Sequence, residues 1–418
     1  MKNLFFLPLL LFITSCYSLN TTDPGKIAKI NILDRNGMSE TINSKDRLSF
    51  YENTDFLSPQ PYQKVMRVYG RQKNGDVYAQ ITSYHPNGQV KQYLEALNNR
   101  AFGNFQEWYP NGLLKVQACI IGGIFDLNNL AEESWVFDHT SRAWDEEGRL
   151  IAEINYKKGE LEGESRYYHS NGTLWKLSPF SKNLLHGTQY IYEENGTLFQ
   201  TTDFAHGIKQ GTAIRFWGEG RIAYQEIYKQ GHLLEGYYFS PQGVLTSSIE
   251  NGKGDRALFG KSKLLELQAY REGVQAGAVR VFDESEKIIQ TYGYKNGEKH
   301  GEEIYYFPGT SQPKLLLTWQ EGELQGPAKT WYENGSLESQ REISQNKKNG
   351  LLTAWYQNGA LMLAEEYDDD RLVKGEYYRM GERAFISKVE KGNGVASLFN
   401  SEGNFSRKVY YEDGKPLE

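Results

Sequence analysis

Apolar side chains in this chain fall into short runs bounded by glycine, and they lack the spacing of helical stripes. Turn signals at Asn87-Gly88, Asn111-Gly112, Glu147-Gly148, Asn171-Gly172, Asn195-Gly196, Glu219-Gly220 and Gln242-Gly243 continue at Asn334-Gly335, Asn358-Gly359 and Glu402-Gly403, most neighbours being 24 residues apart. In most units a second glycine precedes the turn glycine by nine positions: Gly103, Gly163, Gly187, Gly211, Gly326, Gly350 and Gly394. Five residues after it stands an aromatic, as in Trp108, Tyr168, Tyr192, Phe216, Tyr306, Trp331, Trp355 and Phe399. Two residues after the turn glycine comes an aliphatic such as Leu114, Leu174, Leu198, Leu337 or Leu361. Fixed columns at a period of this size mark a repeat array, each unit a β-hairpin.

Turn chemistry selects the register. In Tyr109-Pro110-Asn111-Gly112, and again at Pro86 and Pro241, proline sits where a type I turn wants its fixed φ, and glycine follows in the left-handed position of a three-residue loop. That loop sets Tyr192 across from Leu198 and Tyr168 across from Leu174, on one sheet face; a two-residue loop would set Tyr192 across from Phe199. Between Gly243 and Tyr306 the turn glycines vanish, but Gly254 with Phe259 and Leu265, then Gly277 with Phe282 and Ile288, keep the columns and give two degenerate units. Between Gly112 and Gly148 the period lengthens by 12, which places an insertion around residues 120–143 with a short helix over Leu127 to Trp135. The fold expected is all-β: an elongated sheet of consecutive antiparallel hairpins, about fourteen units over residues 76–418. Residues 16–75, with alternating Ile30 and Ile32 and an Asn36-Gly37 turn, form a lead-in or cap.

The N-terminus carries an address. Met1-Lys2-Asn3 precedes an apolar run from Leu4 to Ile13, suited to a secretory signal over residues 1–15 and too short to span a bilayer, which needs about 20 residues. Ile13-Thr14-Ser15-Cys16 resembles the lipobox of bacterial lipoproteins, which implies a lipid on Cys16; an ordinary cleaved signal peptide is the alternative. Tyr17, where aspartate would favour inner-membrane retention, points by the same resemblance to the outer membrane of a Gram-negative cell. Acylation of Cys16 would leave Cys119 the only free thiol, with no intrachain disulfide.

The stretch beginning at Tyr292 and residues 319–337 (WQEGELQGPAKTWYENGSL) resemble the MORN-variant repeat, the bacterial relative of the membrane occupation and recognition nexus repeat. The resemblance extends over about four-fifths of the chain. Similar chains carry a YwqK-like antitoxin label. The resemblance implies an elongated antiparallel sheet built hairpin by hairpin.

Composition narrows the function. Lys plus Arg is 47 against 53 Asp plus Glu, a net charge of −6 that gives no electrostatic reason for nucleic-acid binding. Seven His and two Cys are too few for a metal scaffold, and five of the histidines (His85, His169, His186, His206, His300) fall at repeat positions. His139 with Asp138 and Asp126 in the insertion, and the run Asp368-Asp369-Asp370, are the remaining candidates for chemistry; both suit solvated polarity better. Cys119 beside Ile120 suits a small buried hydrophobe. No enzyme, metal or cofactor is therefore expected. Three functions compete: a lipid-anchored scaffold with a protein partner, a membrane- or glycan-contacting surface, and a toxin-neutralising partner. The repeat positions singled out are Gly112, Gly172, Gly196, Gly335, Gly359, Trp108, Tyr168, Tyr192, Trp331 and Trp355, and Cys16 is the lipid-attachment residue.

Overall fold

A computed structural model describes residues 27–417 apart from residues 53 and 73. Two compact units, Met1–Gly211 and Thr212–Glu418, divide the chain, the boundary falling within the strand Ile208–Phe216. Each unit is an antiparallel meander of consecutive hairpins. In the first, Ile27–Asp34 pairs with both Ser39–Ile42 and Gln63–Arg71, and the array then runs hairpin by hairpin to Leu198–Ala205. In the second it runs from Ile222–Lys229 to Phe405–Glu412 and the short strand Lys415–Pro416. The all-β hairpin architecture expected from the turn spacing is the one formed.

Two kinds of turn alternate along each meander. In the glycine-signalled loops the Gly112 N–H donates to the Tyr109 carbonyl at 2.9 Å, and the Tyr109 N–H donates to the Leu113 carbonyl at 2.9 Å. Gly112 has φ +84°, which closes the type I turn begun at Pro110 and leaves a bulge on the returning strand. Loops of the second kind are two-residue turns with positive φ at both positions. Lys158 and Gly159, at +52° and +88°, join Lys157 to Glu160; Lys182 and Asn183, at +49° and +67°, join Ser181 to Leu184. This type I′ geometry matches the twist of the flanking strands, which is what holds lysine in a backbone region it otherwise avoids.

The three-residue loops deliver the expected register. Tyr168 lies opposite Leu174, Tyr192 opposite Leu198, Trp108 opposite Leu114, Trp331 opposite Leu337 and Trp355 opposite Leu361. Of the two degenerate units, one keeps the register, Phe282 pairing with Ile288 across a loop that holds Glu286 at φ +58° in place of glycine, and one departs from it. Phe259 pairs with Leu264 and not with Leu265, because the chain closes earlier through a Gly260 N–H to Lys263 carbonyl bond, and Leu265 is left exposed.

The insertion contains the helix Asn129–Glu133, capped by the Asn128 side chain, which accepts from the Ala131 N–H at 3.0 Å. Beyond it Trp135 packs on Phe105 with ring centroids 4.7 Å apart, so the inserted segment closes over a core of Ile81, Leu94, Ala101 and Ile120. The lead-in adds a helical turn, Lys45–Leu48, which the sequence pattern did not announce; its Leu48 joins Ile30, Ile42, Phe56, Met66 and Val68 in a second core.

The deepest positions are not those of the aromatic column. In the strand Gly163–Tyr168, Ser165 is fully buried while Tyr168 is half-buried, and three residues of separation put them on opposite faces. Ser178, which pairs with Ser165, is buried with it. On the same face the second glycine column exposes bare backbone, and a large side chain stands opposite it: Phe180 at Gly163, Phe204 at Gly187, Tyr270 at Gly254 and Trp319 at Gly301.

Candidate interaction surface

Cys16 lies outside the described residues. The ten repeat positions do not converge; they are spaced along the array as columns, and their roles are local. Gly172, Gly196, Gly335 and Gly359, with φ from +81° to +87°, each close a loop as Gly112 does. The aromatic column contributes hydrogen bonds as well as packing. The Tyr168 hydroxyl donates to the Glu153 carboxylate at 2.9 Å, and its pKa is pushed up to about 12 by burial and by that carboxylate.

A column that the sequence did not reveal ties neighbouring hairpins together. In six of these loops the opening residue reaches the main-chain carbonyl of the next hairpin's aromatic position. Tyr109 donates to Trp144 at 3.0 Å, Trp217 to Phe239 at 3.0 Å, Tyr332 to Trp355 at 2.8 Å and Tyr356 to Tyr378 at 2.7 Å. The Nε2 atoms of His85 and His169 meet the carbonyls of Trp108 and Tyr192 at 2.8 and 2.9 Å. These two histidines share a turn position because an imidazole can span the same gap as a phenol. Where the opening residue is Asp145, Asp283 or Asn400, its side chain accepts from N–H groups of its own loop instead.

Buried carboxylates form a further set, Glu303 on the face opposite the aromatic column and Glu95 on the face of the aromatic residue Tyr84. Glu303, 1% exposed, accepts from Lys299 at 2.6 Å, Trp319 at 2.7 Å, Tyr305 at 3.0 Å and Gln290 at 2.5 Å. Burial alone would raise its pKa, but the bonds from Lys299, Trp319 and Tyr305 outweigh it and hold the carboxyl below the ordinary value. The Lys299 ammonium is flanked by the Tyr292 and Trp319 rings, 5.2 and 5.0 Å from their centroids. Glu95 goes the other way: burial outweighs the Asn104 N–H and the Tyr93 hydroxyl, and its carboxyl is raised.

The exposed counterpart is an aromatic and cationic patch in the first unit. Trp175, 42% exposed, meets Tyr167 edge to face at 6.4 Å and His169 at 6.2 Å, while Lys176 lies 4.4 Å over the Tyr167 ring and 5.0 Å from the Trp175 ring. Rigid tryptophan and tyrosine rings at the surface are what protein interfaces use as anchors.

Candidate chemistry elsewhere disperses. His139 stands in the strand Phe137–Trp144, at φ +61°, with Nδ1 3.0 Å from its neighbour Asp138. Asp126 is held instead by Arg67 at 2.9 Å. Asp369 and Asp370 form a two-residue turn, bonded to the Lys347 ammonium and the Lys348 N–H. No group of three or more His, Cys, Asp or Glu converges as metal ligands among the described residues. Cys119 is buried, as its apolar neighbours suggest, but it is disulfide-bonded and not the free thiol expected. No helix among the described residues is long and apolar enough to cross a membrane.

Three segments, residues 161–182, 185–206 and 324–343, match the family model described as MORN repeat variant. The first contains the Tyr167, Trp175 and Lys176 patch, and together they include Tyr168, Tyr192 and Trp331 of the aromatic column. No curated protein matches the chain.

Proposed function

We propose that this protein is a non-enzymatic binding platform of the bacterial cell envelope, held at the outer membrane by a lipid on Cys16 and engaging a protein partner through its hairpin faces. The observation that carries the platform reading is the solvent-facing Tyr167, Trp175 and Lys176 cluster, set on a strand pair whose centre is buried and whose loops are bonded to their neighbours. The toxin-neutralising role attached to YwqK-like chains is the weaker reading, because a secretory signal removes the chain from the cytosol.

Cys119 favours a second reading of the address. The chain has only one other cysteine, Cys16. A single sulfur cannot carry a thioether-linked lipid and a disulfide together, so a bond between the two cysteines would leave an exported but untethered protein. One experiment separates the readings. Membranes of the native host are fractionated for the wild type and Cys16→Ala, and Cys119 is titrated with a thiol reagent after unfolding without reductant. Tethering predicts wild type in the membrane fraction, loss of that association in Cys16→Ala, and a Cys119 that reacts. An unreactive Cys119 in a protein released without detergent would remove the lipid.

A further inference from the structure

Residues 222–273 and 361–414 in the second unit are two versions of one module. Tyr228, Leu233, Gly236 and Tyr238 recur as Tyr367, Leu372, Gly375 and Tyr377, with Leu233, Tyr238, Leu372 and Tyr377 all fully buried. Their loops close in the same way. The N–H groups of Leu233, Gly273 and Gly252 donate to the carbonyls of Gly273, Gly252 and Leu234, and those of Leu372, Gly414 and Gly392 donate to Gly414, Gly392 and Val373. A Cβ on Gly236 or on Gly375 would lie 2.6 Å from the hydroxyl of Tyr238 or Tyr377, so both glycines make room for a tyrosine folded back over the strand.

That tyrosine reaches a buried carboxylate in both modules. Glu226 accepts from Tyr238 at 2.8 Å on one oxygen and from Tyr228 at 2.8 Å on the other. Glu365, 7% exposed, accepts from Tyr377 at 2.7 Å and Tyr367 at 3.0 Å in the same order. The modules then diverge. In the first, Arg256 completes the site, its guanidinium 2.7 Å from one Glu226 oxygen and 3.4 Å from the other. Gly254 and Gly394 align the two strands, each with φ +145°, and place Ala396 where Arg256 stands. No described cation forms an ion pair with Glu365; Lys348 lies over the Tyr367 ring at 4.8 Å instead. Half-buried Leu352, Leu363, Leu398, Val409 and Tyr411 surround this module's core.

We propose that Glu365 receives the guanidinium of an arginine presented by a partner protein, at the position that Arg256 fills in the first module. The argument is chemical. A carboxylate taken out of water is costly without a countercharge, and two tyrosine hydroxyls supply hydrogen bonds but no charge. The first module shows which group suits this arrangement: a planar fork that touches both oxygens while each keeps its tyrosine. The half-buried leucines and Val409 would line the arginine stem, which is apolar up to its head group. An ammonium could satisfy the charge, but it lacks the planar pair of parallel N–H donors that matches the two oxygens.

The site deepens the platform reading and rests on it for the identity of the partner, but its test needs no partner. Arginine amide, lysine amide and urea are titrated against the full chain, with thermal midpoint and backbone NMR shifts as readouts. Arginine amide should raise the midpoint saturably and shift amides of Glu365 and Tyr377, with lysine amide at least about tenfold weaker and urea without effect. Glu365→Gln should lose the response. Ala396→Arg should lose it too while raising the midpoint without ligand, because the new side chain occupies the site from within; this variant keeps the test sound should Glu365→Gln unfold. A wild type that ignores arginine amide, or a response that persists in Ala396→Arg, would overturn the proposal. A chain that answers arginine amide but captures no protein keeps the site and loses the platform, whereas a captured partner with no arginine response does the reverse.

Discussion

Residues 163–205 and residues 222–259 are built from the same two kinds of loop, and Phe239 opposes Leu245 as Tyr192 opposes Leu198, yet they bury different side chains. In the first stretch, which falls largely within the family-matched segments, the fully or nearly fully buried residues are Ser165, Ser178 and Thr202. In the second they include Leu233, Tyr238 and Ile249, gathered around Glu226 and Arg256. Turn columns and burial are therefore separate properties of the repeat. The loops fix which residues oppose each other, and the centre of the face opposite the aromatic column decides how much apolar area leaves water. The serine-centred stretch keeps register at a low hydrophobic content and leaves Trp175 at the surface with half-buried tyrosines around it, as a binding face requires. The tyrosine-centred module stabilises the array.

Substitutions can break this contrast. The largest effect is expected at Leu233→Ala and Leu372→Ala, each about 3–5 kcal/mol for a fully buried leucine, against about 1–2 kcal/mol for half-buried Leu177→Ala, read from urea unfolding midpoints. Glu226→Gln should follow at about 3–4 kcal/mol, since it strands the Arg256 guanidinium, while Glu365→Gln costs less because no described cation pairs with it. Equal losses at the two glutamates would dissolve the distinction between the modules. Trp331→Ala and Trp355→Ala should cost about 1.5–2.5 kcal/mol each, half the value for a fully buried tryptophan, since both are half-buried.

Much of this was legible in the residues, and what was not has a physical cause. Proline and glycine turn chemistry is local, so Pro110-Asn111-Gly112 announced its loop and the opposition of Trp108 and Leu114. Gly260 to Lys263 lacks that chemistry, and the pairing of Phe259 with Leu264 escaped notice. The column of His85, Tyr109, His169, Trp217, Tyr332 and Tyr356 was hidden for a different reason. The position demands a donor of a certain reach, and imidazole, indole and phenol all meet it, so no single residue type recurs. Buried glutamates are invisible among the chain's many exposed ones until the strands bring tyrosines to them.

Two of these glutamates should divide by pH. The carboxyl of Glu303 is held below its ordinary value, so it stabilises the folded state above the usual carboxylate range, and that contribution fades as acid approaches the lowered value. Glu95 is raised, so the folded state holds its proton more tightly than the unfolded chain, and stability falls as pH rises from the carboxylate range through the raised value. Glu303→Gln should therefore weaken the protein at pH 7 and matter less in acid. Glu95→Gln should relieve the neutral-pH loss. Parallel unfolding curves from pH 4 to pH 8 would show the two variants moving in opposite directions relative to wild type.

The smallest effect separates hairpin-to-hairpin bonds from packing. Tyr356→Phe removes only the hydroxyl that reaches the Tyr378 carbonyl and should cost about 0.5–1.5 kcal/mol.

Native-state hydrogen exchange, resolved by residue, tests the separation of register from burial most directly. The strands Ile222–Lys229, His232–Phe239, Leu361–Asp368 and Arg371–Tyr377 should contain the slowest amides, with Leu174–Ser181 and Leu198–Ala205 opening at clearly lower free energy although their loops are as regular. Uniform protection across both sets, or greater protection in the serine-centred strands, would contradict the account.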